Sequence, residues 1–474
     1  MIRFGTGGWR AVIADGFTKK NVQILALALA RKMRDENKGE RGIVIGFDRR
    51  FLSDVASEWI CEVMASEGIP CFLMKRPAPT PMIMYAVEYY NLHYGIAVTA
   101  SHNPAVYNGV KLFTTSGRDA IPEVTEQLEQ YIRIIEDEYK RDGEKVYKPF
   151  SELKESDKLK YINAFNPYID SILSQIDQET IKKSNLRIAL DPMYGVSRNA
   201  LQTILMTMRC EVDVIHDSHD TLFGGKLPAP ADNTLDALIS YVKDNSCDIG
   251  IATDGDADRV GIIDDKGKFI HPNELLVLLY YYLLKYKGWR GPVVRNVATT
   301  ALLDKVAEDF GQKCYEVPVG FKWVSEKMDE TDAIIGGESS GGLTVRGHIH
   351  GKDGIYASSL LVEMVACCGK KLSEISDEIM SLYGPAYMAE GNLHFAPSRK
   401  EEINETIMVK KELPKFSSEV DRVEYPDGCK IYFKNGWLIC RFSGTEPLLR
   451  VFCEMPTREL AEQAIQEMRD FLNL

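Results

Sequence analysis

The stretch DIGIATDGDADR, residues 248–259, changes abruptly from a short apolar run into a loop of alternating aspartates. The run at residues 248–252 predicts a buried β-strand, because it is short, apolar and followed at once by a polar turn. Asp254, Asp256 and Asp258 come next, each separated by one small residue that lets the loop curl until the carboxylates converge. Ligands of open α/β sheets collect at the carboxyl ends of strands. The stretch therefore predicts an α/β fold with a ligand site in this loop.

Strand-like and helix-like segments alternate in the same way through most of the chain. Further strands are predicted at residues 42–47, 69–74, 94–99, 186–190, 210–215, 292–295, 314–317 and 333–335. This βαβ rhythm is typical of buried, mostly parallel sheets. Residues 430–441 instead predict a β-hairpin, and a helix begins at Arg458. We expect three similar α/β domains, with mixed sheets flanked by helices, and a smaller C-terminal α+β domain.

A chain of 474 residues is too long for one hydrophobic core. The restarts of the pattern predict domain I at residues 1–150, domain II at 157–258, domain III at 259–372 and domain IV at 385–474. The charged stretch at residues 136–160 has little apolar periodicity and indicates an exposed helix end followed by a linker.

The composition excludes several classes of partner. A formal net charge of -12 argues against nucleic acid and against an anionic membrane surface. The ten cysteines form no CxxC pair and are interpreted as reduced core residues. The start MIRFGTGGWR has no apolar run typical of a signal peptide, and the longest apolar run, residues 275–284, is too short to span a bilayer. We expect a cytoplasmic protein, either a monomer or a homodimer.

The aspartate loop is the clearest candidate for a metal site. Oxygen ligands at this spacing suit Mg²⁺, and Arg259 adds a cation beside them that suits a phosphate. An EF-hand does not fit, because the sixth position is Arg259 rather than glycine and the twelfth is Asp265 rather than glutamate. An ordinary acidic turn is the simpler alternative.

The segment TASHNP, residues 99–104, follows another predicted strand. It places Ser101 on an exposed loop at the carboxyl edge of the sheet, with His102 next to it. Lys111 lies a short loop downstream, where it suits proton transfer or phosphate binding. A simple turn is the alternative, since Ser, Asn and Pro favour turns. A serine hydrolase is not indicated, because the GxSxG pattern is missing.

Two glycine-containing loops add candidate ligand groups. RFSGTEP, residues 441–447, combines hydroxyls, a glycine and flanking arginines, which suits a phosphate monoester. GGESSGG, residues 336–342, combines a carboxylate with a hydroxyl, which suits sugar hydroxyls, although a flexible turn explains it equally well. The candidate residues of the two loops are Glu338, Ser340, Arg441, Ser443, Gly444, Thr445 and, shortly after, Arg450.

Taken together, the motifs resemble those of the α-D-phosphohexomutase family of phosphoglucomutases and phosphomannomutases. FGTGGWR at residues 4–10, TASHNP with YNGVK, DGDADR, GGESSGG and RFSGTEP occur in the family's order along the chain. The resemblance implies three α/β domains and a smaller fourth domain around a central cleft. It implies that Ser101 is the phosphoserine and that Asp254, Asp256 and Asp258 bind Mg²⁺ together with an oxygen of that group.

The resemblance also implies a role for each remaining candidate residue. Arg10, His102, Lys111 and Arg259 match positions around the transferred phosphoryl group, and Lys322, Glu338, Ser340, Arg441, Ser443, Gly444, Thr445 and Arg450 match positions that bind the substrate.

The implied activity is interconversion of hexose 1-phosphate and hexose 6-phosphate, with a hexose 1,6-bisphosphate as intermediate and activator. The sequence departs from many phosphomannomutases at Gly342, where they carry a histidine. Together with Ala257 and the FGTGGWR start, this favours glucose as the sugar. Phosphomannomutase, phosphoglucosamine mutase and phosphopentomutase are the alternatives within the family, and a non-catalytic sugar-phosphate-binding protein is the alternative from another class.

Overall fold

The computed structural model describes residues 2–5, 7–443 and 447–474. The chain divides into two compact units, the first formed by Met1–Ile270 and Ser340–Leu372 and the second by His271–Ser339 and Ser373–Leu474. The strands in chain order are β1 (Trp9–Val12), β2 (Ile43–Phe47), β3 (Cys71–Met74), β4 (Tyr94–Val98), β5 (Tyr107–Thr114), β6 (Arg118–Asp119), β7 (Leu159–Ile162), β8 (Arg187–Asp191), β9 (Glu211–Val214), β10 (Ile249–Thr253), β11 (Val260–Ile263), β12 (Phe269–Ile270), β13 (Val293–Asn296), β14 (Cys314–Val317), β15 (Ile335–Gly337), β16 (Leu343–Val345), β17 (Tyr387–His394), β18 (Val420–Glu424), β19 (Cys429–Phe433), β20 (Gly436–Phe442) and β21 (Leu448–Met455). The α-helices are α1 (Lys19–Asp35), α2 (Ser53–Ser66), α3 (Thr80–Tyr89), α4 (Pro122–Asp142), α5 (Phe150–Leu153), α6 (Phe165–Leu173), α7 (Gln178–Ser184), α8 (Arg198–Thr207), α9 (Asp236–Asp244), α10 (Pro272–Lys285), α11 (Leu302–Asp309), α12 (Phe321–Thr331), α13 (Gly354–Cys368), α14 (Leu372–Tyr383), α15 (Lys400–Asn404) and α16 (Arg458–Phe471).

The first sheet of the first unit has the order β1-β5-β4-β2-β3-β7, with β6 hydrogen-bonded to β5. Its centre is parallel, since β2 pairs in parallel with both β3 and β4, and β5 then runs antiparallel to β4. All five residues of β2, IVIGF, are buried. Strands covered on both faces read as continuous apolar runs, which is why this part of the sheet was predictable.

Strand β7 corrects the sequence interpretation. It begins at the end of the charged stretch that predicted a linker and extends two residues beyond it, and it pairs in parallel with β3 at the edge of the first sheet. Lys160 and Tyr161 at its centre are exposed. Because this strand is held mainly by backbone pairing and buries little apolar surface, its sequence carries a weak signal.

The second sheet of the first unit has the order β12-β11-β10-β8-β9. Strands β8, β9 and β10 are parallel, and β11 returns antiparallel to β10. Helix α13 packs against α7, α8 and β11. The carboxyl end of β10 therefore opens into the acidic loop inside a well-packed layer.

The second unit contains a parallel sheet with β13 between β14 and β15, and an antiparallel C-terminal sheet with the order β17-β21-β20-β19-β18. The two parts share apolar contacts through Val297 and Ala298 on one side and Trp437 and Ile439 on the other. The hairpin and terminal helix predicted from sequence are present as β19, β20 and α16. The predicted fold class, three α/β domains followed by a C-terminal domain, is confirmed.

All ten cysteines lie in described residues and are free thiols. Among the helices of the described residues, none combines the length and the apolar composition needed to cross a membrane.

Candidate active site

The acidic loop after β10 is deeply buried. Asp254, Asp256 and Asp258 are 0%, 0% and 1% exposed, and one carboxylate oxygen from each lies within 4.8 Å of the other two. Within the described residues, Asp256 Oδ1 and Asp258 Oδ1 have no hydrogen-bond partner. Buried carboxylates this close repel one another unless a cation lies between them. The donor set and its unpartnered oxygens therefore fit a hard divalent ion such as Mg²⁺.

Ser101 lies against this loop, and its hydroxyl donates a hydrogen bond of 2.7 Å to Asp254 Oδ2. The residue has a left-handed backbone, with φ of 53°, which is uncommon for a non-glycine residue. The sequence predicted an exposed serine, and this was wrong because Ser101 is only 1% exposed. The loop after β4 is covered by the acidic loop, where a Cβ on Gly255 would lie 2.8 Å from the Ser101 carbonyl oxygen.

Lys111 projects from β5 into the acidic cluster. Its Nζ donates to Asp256 Oδ2 and Asp258 Oδ2, each at 2.6 Å. Burial alone would lower the pKa of Lys111, but the two aspartates outweigh burial and the pKa is raised above its ordinary value. The ammonium group is therefore a fixed positive charge within the cluster.

Three further cationic or basic candidates surround Ser101. Arg10 Nη1 donates to Asn103 Oδ1 at 2.6 Å, and Arg259 Nε lies 3.9 Å from Asp258 Oδ1. His102 Nδ1 lies 3.4 Å from Ser101 Oγ. Arg259 is the main cause, followed by burial and Arg10, of a pKa of His102 well below its ordinary value. The imidazole is therefore neutral in this arrangement.

The candidate phosphate loop belongs to the second unit. Arg441, near the end of β20, pairs through Nη2 with Asp427 Oδ2 at 2.9 Å and donates from Nε to the Asp427 carbonyl oxygen at 3.1 Å. Ser443 is buried and its N–H donates to the Leu448 carbonyl oxygen at 3.0 Å. Arg450 faces Arg441 across the β20–β21 pair and is exposed. Gly444 and Thr445 lie outside the described residues.

The candidate sugar-binding residues are divided between the units. In the second unit, Glu338 is buried and its Oε1 accepts from Asn296 Nδ2 and from the Gly320 N–H, both at 3.0 Å. Lys322 lies in the first turn of α12, with Nζ 5.3 Å from the Trp323 ring centroid. Ser340 belongs to the first unit and is exposed.

Four family models match the chain in the order of these elements. They are described as phosphoglucomutase/phosphomannomutase alpha/beta/alpha domain I, domain II and domain III, and as the C-terminal domain of the same family. They match residues 1–139, 166–267, 271–383 and 400–471, which together are most of the chain.

The chain belongs to the phosphoglucomutase/phosphomannomutase family, the α-D-phosphohexomutases.

Relatives of this phosphohexomutase match it over nearly their whole length. The Thermococcus kodakarensis protein named phosphoglucomutase/phosphomannomutase is 30% identical over 98% of this chain and 96% of its own. The Pyrococcus furiosus probable phosphoglucosamine mutase is 30% identical over the same shares. The crystal structure of a putative phosphomannomutase from Thermus thermophilus has a TM-score of 0.87 at 30% identity and covers 100% of this chain and 99% of that one.

Two features of this phosphohexomutase's site were missed from the sequence. The first is Arg50, a buried residue after β2 whose guanidinium donates to the Ser101 and Asn103 carbonyl oxygens, both at 2.6 Å. It also lies over the Phe223 ring at 4.8 Å. Asp48 supports the same loop, since its Oδ2 accepts from Thr99 Oγ1 at 2.6 Å. The sequence signal for both residues was their position, since Asp48 and Arg50 follow directly after the buried strand β2.

The second missed feature is Lys352, whose Nζ lies 3.1 Å from Asp258 Oδ2. Its aliphatic chain occupies the space beside Gly342, where an added Cβ would lie 2.2 Å from Lys352 Cδ. Gly342 is the position at which the sequence departs from many phosphomannomutases. The structure shows that the side chain of Lys352, which belongs to the same unit, fills the space beside this glycine.

Proposed function

We propose that this enzyme moves a phosphoryl group between O1 and O6 of a hexose phosphate, by way of phosphorylated Ser101 and a bound 1,6-bisphosphate. The observation that carries the proposal is the 2.7 Å hydrogen bond from Ser101 Oγ to Asp254 within the buried aspartate cluster. A non-catalytic binding protein, the candidate from another class, has no use for a nucleophilic hydroxyl held at a metal site.

In this proposal Asp254, Asp256 and Asp258 would hold Mg²⁺, together with an oxygen of phosphorylated Ser101. Bound there, the ion withdraws negative charge from the phosphoryl oxygens. Lys111 contributes a second positive charge at the same place, since it is hydrogen-bonded to two of the three carboxylates. Charge that develops during phosphoryl transfer is best stabilised by groups already fixed in position.

The cycle has two transfers. In the first, the bond between Ser101 Oγ and phosphorus breaks, a bond from phosphorus to the free sugar hydroxyl forms, and the hydroxyl proton passes to the neutral imidazole of His102, whose Nδ1 lies 3.4 Å from Ser101 Oγ. In the second, the sugar bisphosphate presents its other phosphate and the same steps run in reverse onto Ser101. We propose Arg10, His102, Lys111 and Arg259 as the side chains that bind and orient the transferred group.

The substrate's remaining groups need binding sites of their own. We propose that Arg441, Ser443, Gly444, Thr445 and Arg450 bind the phosphate that does not react. Glu338, Ser340 and Lys322 are proposed to contact the sugar. The buried, hydrogen-bonded carboxylate of Glu338 supports this role, because a fixed acceptor suits a sugar hydroxyl.

The preferred sugar is the finer part of the proposal. The sequence favoured glucose, but of the three relatives named above only the Thermococcus protein's name includes glucose, and that name includes mannose as well. We therefore propose mannose phosphate as the first candidate substrate, because the Thermus and Thermococcus names both include it, and glucosamine phosphate as the second, in line with the Pyrococcus protein. We place the enzyme in the cytoplasm, as its composition predicted.

The test compares wild-type protein with Ser101→Ala and with Ser174→Ala, which removes a serine hydroxyl elsewhere in the first unit. Turnover is measured with mannose, glucosamine, glucose and ribose phosphates, and intact mass reports a phosphoryl group on the protein. We expect Ser101→Ala to lose both turnover and the added mass, and Ser174→Ala to keep both. Wild-type turnover in a folded Ser101→Ala protein would overturn the proposal.

A further inference from the structure

A cavity in the second unit is lined by residues other than those assigned above. It is bounded by the first turns of α10, by α14, by the start of β17 and by the end of β21. The cavity has a volume of about 40 Å³ and opens to solvent. A water molecule needs roughly 10–15 Å³ of such volume, so the cavity has room for a molecule of a few heavy atoms.

Two buried polar side chains line this cavity with unused hydrogen-bonding atoms. Asn273 is 2% exposed, and neither Nδ2 nor Oδ1 of its amide has a hydrogen-bond partner in the part of the chain that is described. Glu454 is 4% exposed, and its Oε1 accepts from the Ala301 N–H at 3.0 Å and from Trp437 Nε1 at 3.1 Å. Its Oε2 has no partner among the described residues. Buried polar atoms are rarely left unsatisfied, so these three atoms, two acceptors and one donor, suit an occupant that offers both donors and an acceptor.

The chemistry of the lining restricts that occupant. Two carboxylates, Glu274 and Glu454, line the cavity, and His271 is the one basic side chain among the described residues that do so. An ammonium group donates to Glu454 Oε2 and to Asn273 Oδ1, and a hydroxyl oxygen on the same molecule accepts from Asn273 Nδ2. Much of the remaining wall is aliphatic, with Val277, Leu278 and Met388 among its members. A bare metal ion needs a full shell of oxygen ligands, which an aliphatic wall does not provide.

We propose that this cavity binds a small hydroxyl-bearing primary amine in its ammonium form, with the ammonium group on Glu454 and Asn273 Oδ1, the hydroxyl on Asn273 Nδ2 and a short carbon chain against the aliphatic wall. The binding itself is independent of the function proposed for the Ser101 site.

The position of Glu454 gives this site a route to the candidate phosphate loop. Glu454 is near one end of β21, opposite Trp437, and Arg450 lies further along the same strand opposite Arg441. The strand begins at Leu448, whose carbonyl oxygen accepts the Ser443 N–H at 3.0 Å. An occupant between α10 and Glu454 therefore restrains the strand that carries the phosphate loop. We expect it to change the KM for the sugar phosphate more than kcat, a readout that rests on the proposed function.

The experiment titrates the full-length protein with ethanolamine hydrochloride and follows Tm and the heat of binding. Tetramethylammonium chloride at equal ionic strength supplies charge without donors, ethylene glycol supplies donors without charge, and potassium chloride supplies a bare cation. We expect a saturable rise in Tm with ethanolamine alone. Glu454→Gln keeps the acceptor for Ala301 and Trp437 but removes the charge, and Asn273→Leu fills the polar end of the cavity. Both variants are expected to lose the response.

A response of equal size to tetramethylammonium or potassium would overturn the amine proposal, as would an unsaturable response or one that survives Glu454→Gln. If Asn273→Leu does not fold, Asn273→Asp keeps the volume of the side chain and is expected to tighten binding at least several-fold by adding a charge. Unchanged or weaker binding in that variant also overturns the proposal. Because Tm and heat report binding without turnover, these results stand even if Ser101→Ala disproves the mutase cycle.

Discussion

Arg50 is the residue on which the position of Ser101 depends most. Its guanidinium donates to the carbonyl oxygens of Ser101, Asn103, Pro104 and Tyr107 at 2.6 to 3.1 Å. We expect Arg50→Met to lower kcat about 100-fold, because a shift of about 1 Å in a reacting group costs a factor of that size. Steady-state kinetics and the stoichiometry of phosphorylated Ser101 measure the effect.

The neighbouring residue provides the control for Arg50. Arg49 Nη1 also donates to two carbonyl oxygens, those of Asp217 and Ser218, at 3.1 and 3.3 Å, but it does not contact the Ser101 loop. Arg49→Met is expected to leave kcat within a few-fold of wild type. If Arg50→Met lowers only Tm and keeps kcat, the residue is structural and does not position Ser101.

Gly342 is a second residue at which the geometry predicts the effect of a substitution. An added methyl group would lie 2.2 Å from Lys352 Cδ, so Gly342→Ala pushes the lysine away from Asp258. We expect Gly342→Ala and Lys352→Met to reduce kcat/KM by similar factors, and the double variant to be no worse than either single one, because the two changes remove the same contact. Additive losses in kcat/KM would show that Gly342 has a separate role.

The loop after β10 is the element that the proposed Mg²⁺ would stabilise. We expect chelation with EDTA to abolish turnover and to lower Tm, with both restored by added Mg²⁺. An ion present at 100 times its Kd stabilises the folded state by about 2.7 kcal/mol. Chelation is therefore expected to lower the free energy of unfolding by an amount of that order. Lys111 and Lys352 remain paired with Asp256 and Asp258, so the chain is expected to stay folded without the ion. Full turnover after exhaustive chelation would contradict the metal site.

The elements that could be predicted from sequence are those whose burial leaves a clear pattern. Strands β2, β4 and β10 have every residue buried and appear as short apolar runs. Strand β7 could not be predicted, because backbone pairing with β3 places it rather than a run of apolar side chains.

The residues of the candidate site also differ in whether they could be predicted from sequence. Ser101 and the aspartates could be predicted because each motif is complete within a few residues. Arg50 and Lys352 could not, because their roles depend on contacts with segments far along the chain, at Ser101 and at Asp258. The burial of Ser101 was missed for the same reason, since the loop that covers it comes much later in the chain, with Asp254 at a separation of 153.

At the scale of the whole molecule, the candidate catalytic and phosphate-binding groups belong to different compact units, Ser101 to the first and Arg441 to the second. We expect Arg441→Ala to raise the KM for the sugar phosphate with a smaller effect on kcat. A hydrogen bond to a charged group contributes about 1.5–3 kcal/mol, so the rise in KM is expected to be about 10- to 100-fold.

The control for this change is Arg422→Ala, which removes an exposed arginine of the same C-terminal sheet. Initial-rate kinetics on both variants, with the preferred substrate, separate binding from turnover. An unchanged KM in Arg441→Ala would assign the second phosphate to another part of the enzyme.

The depth of Ser101 also bears on how the enzyme is kept ready between substrates. In the proposed cycle the phosphate is carried by a residue that is only 1% exposed, so we expect water to reach it less readily than a bound sugar hydroxyl does and its spontaneous loss to be slow compared with transfer. An enzyme molecule whose Ser101 has been phosphorylated is therefore expected to keep its phosphate when substrate is scarce. It is expected to resume turnover without being phosphorylated again by an activator.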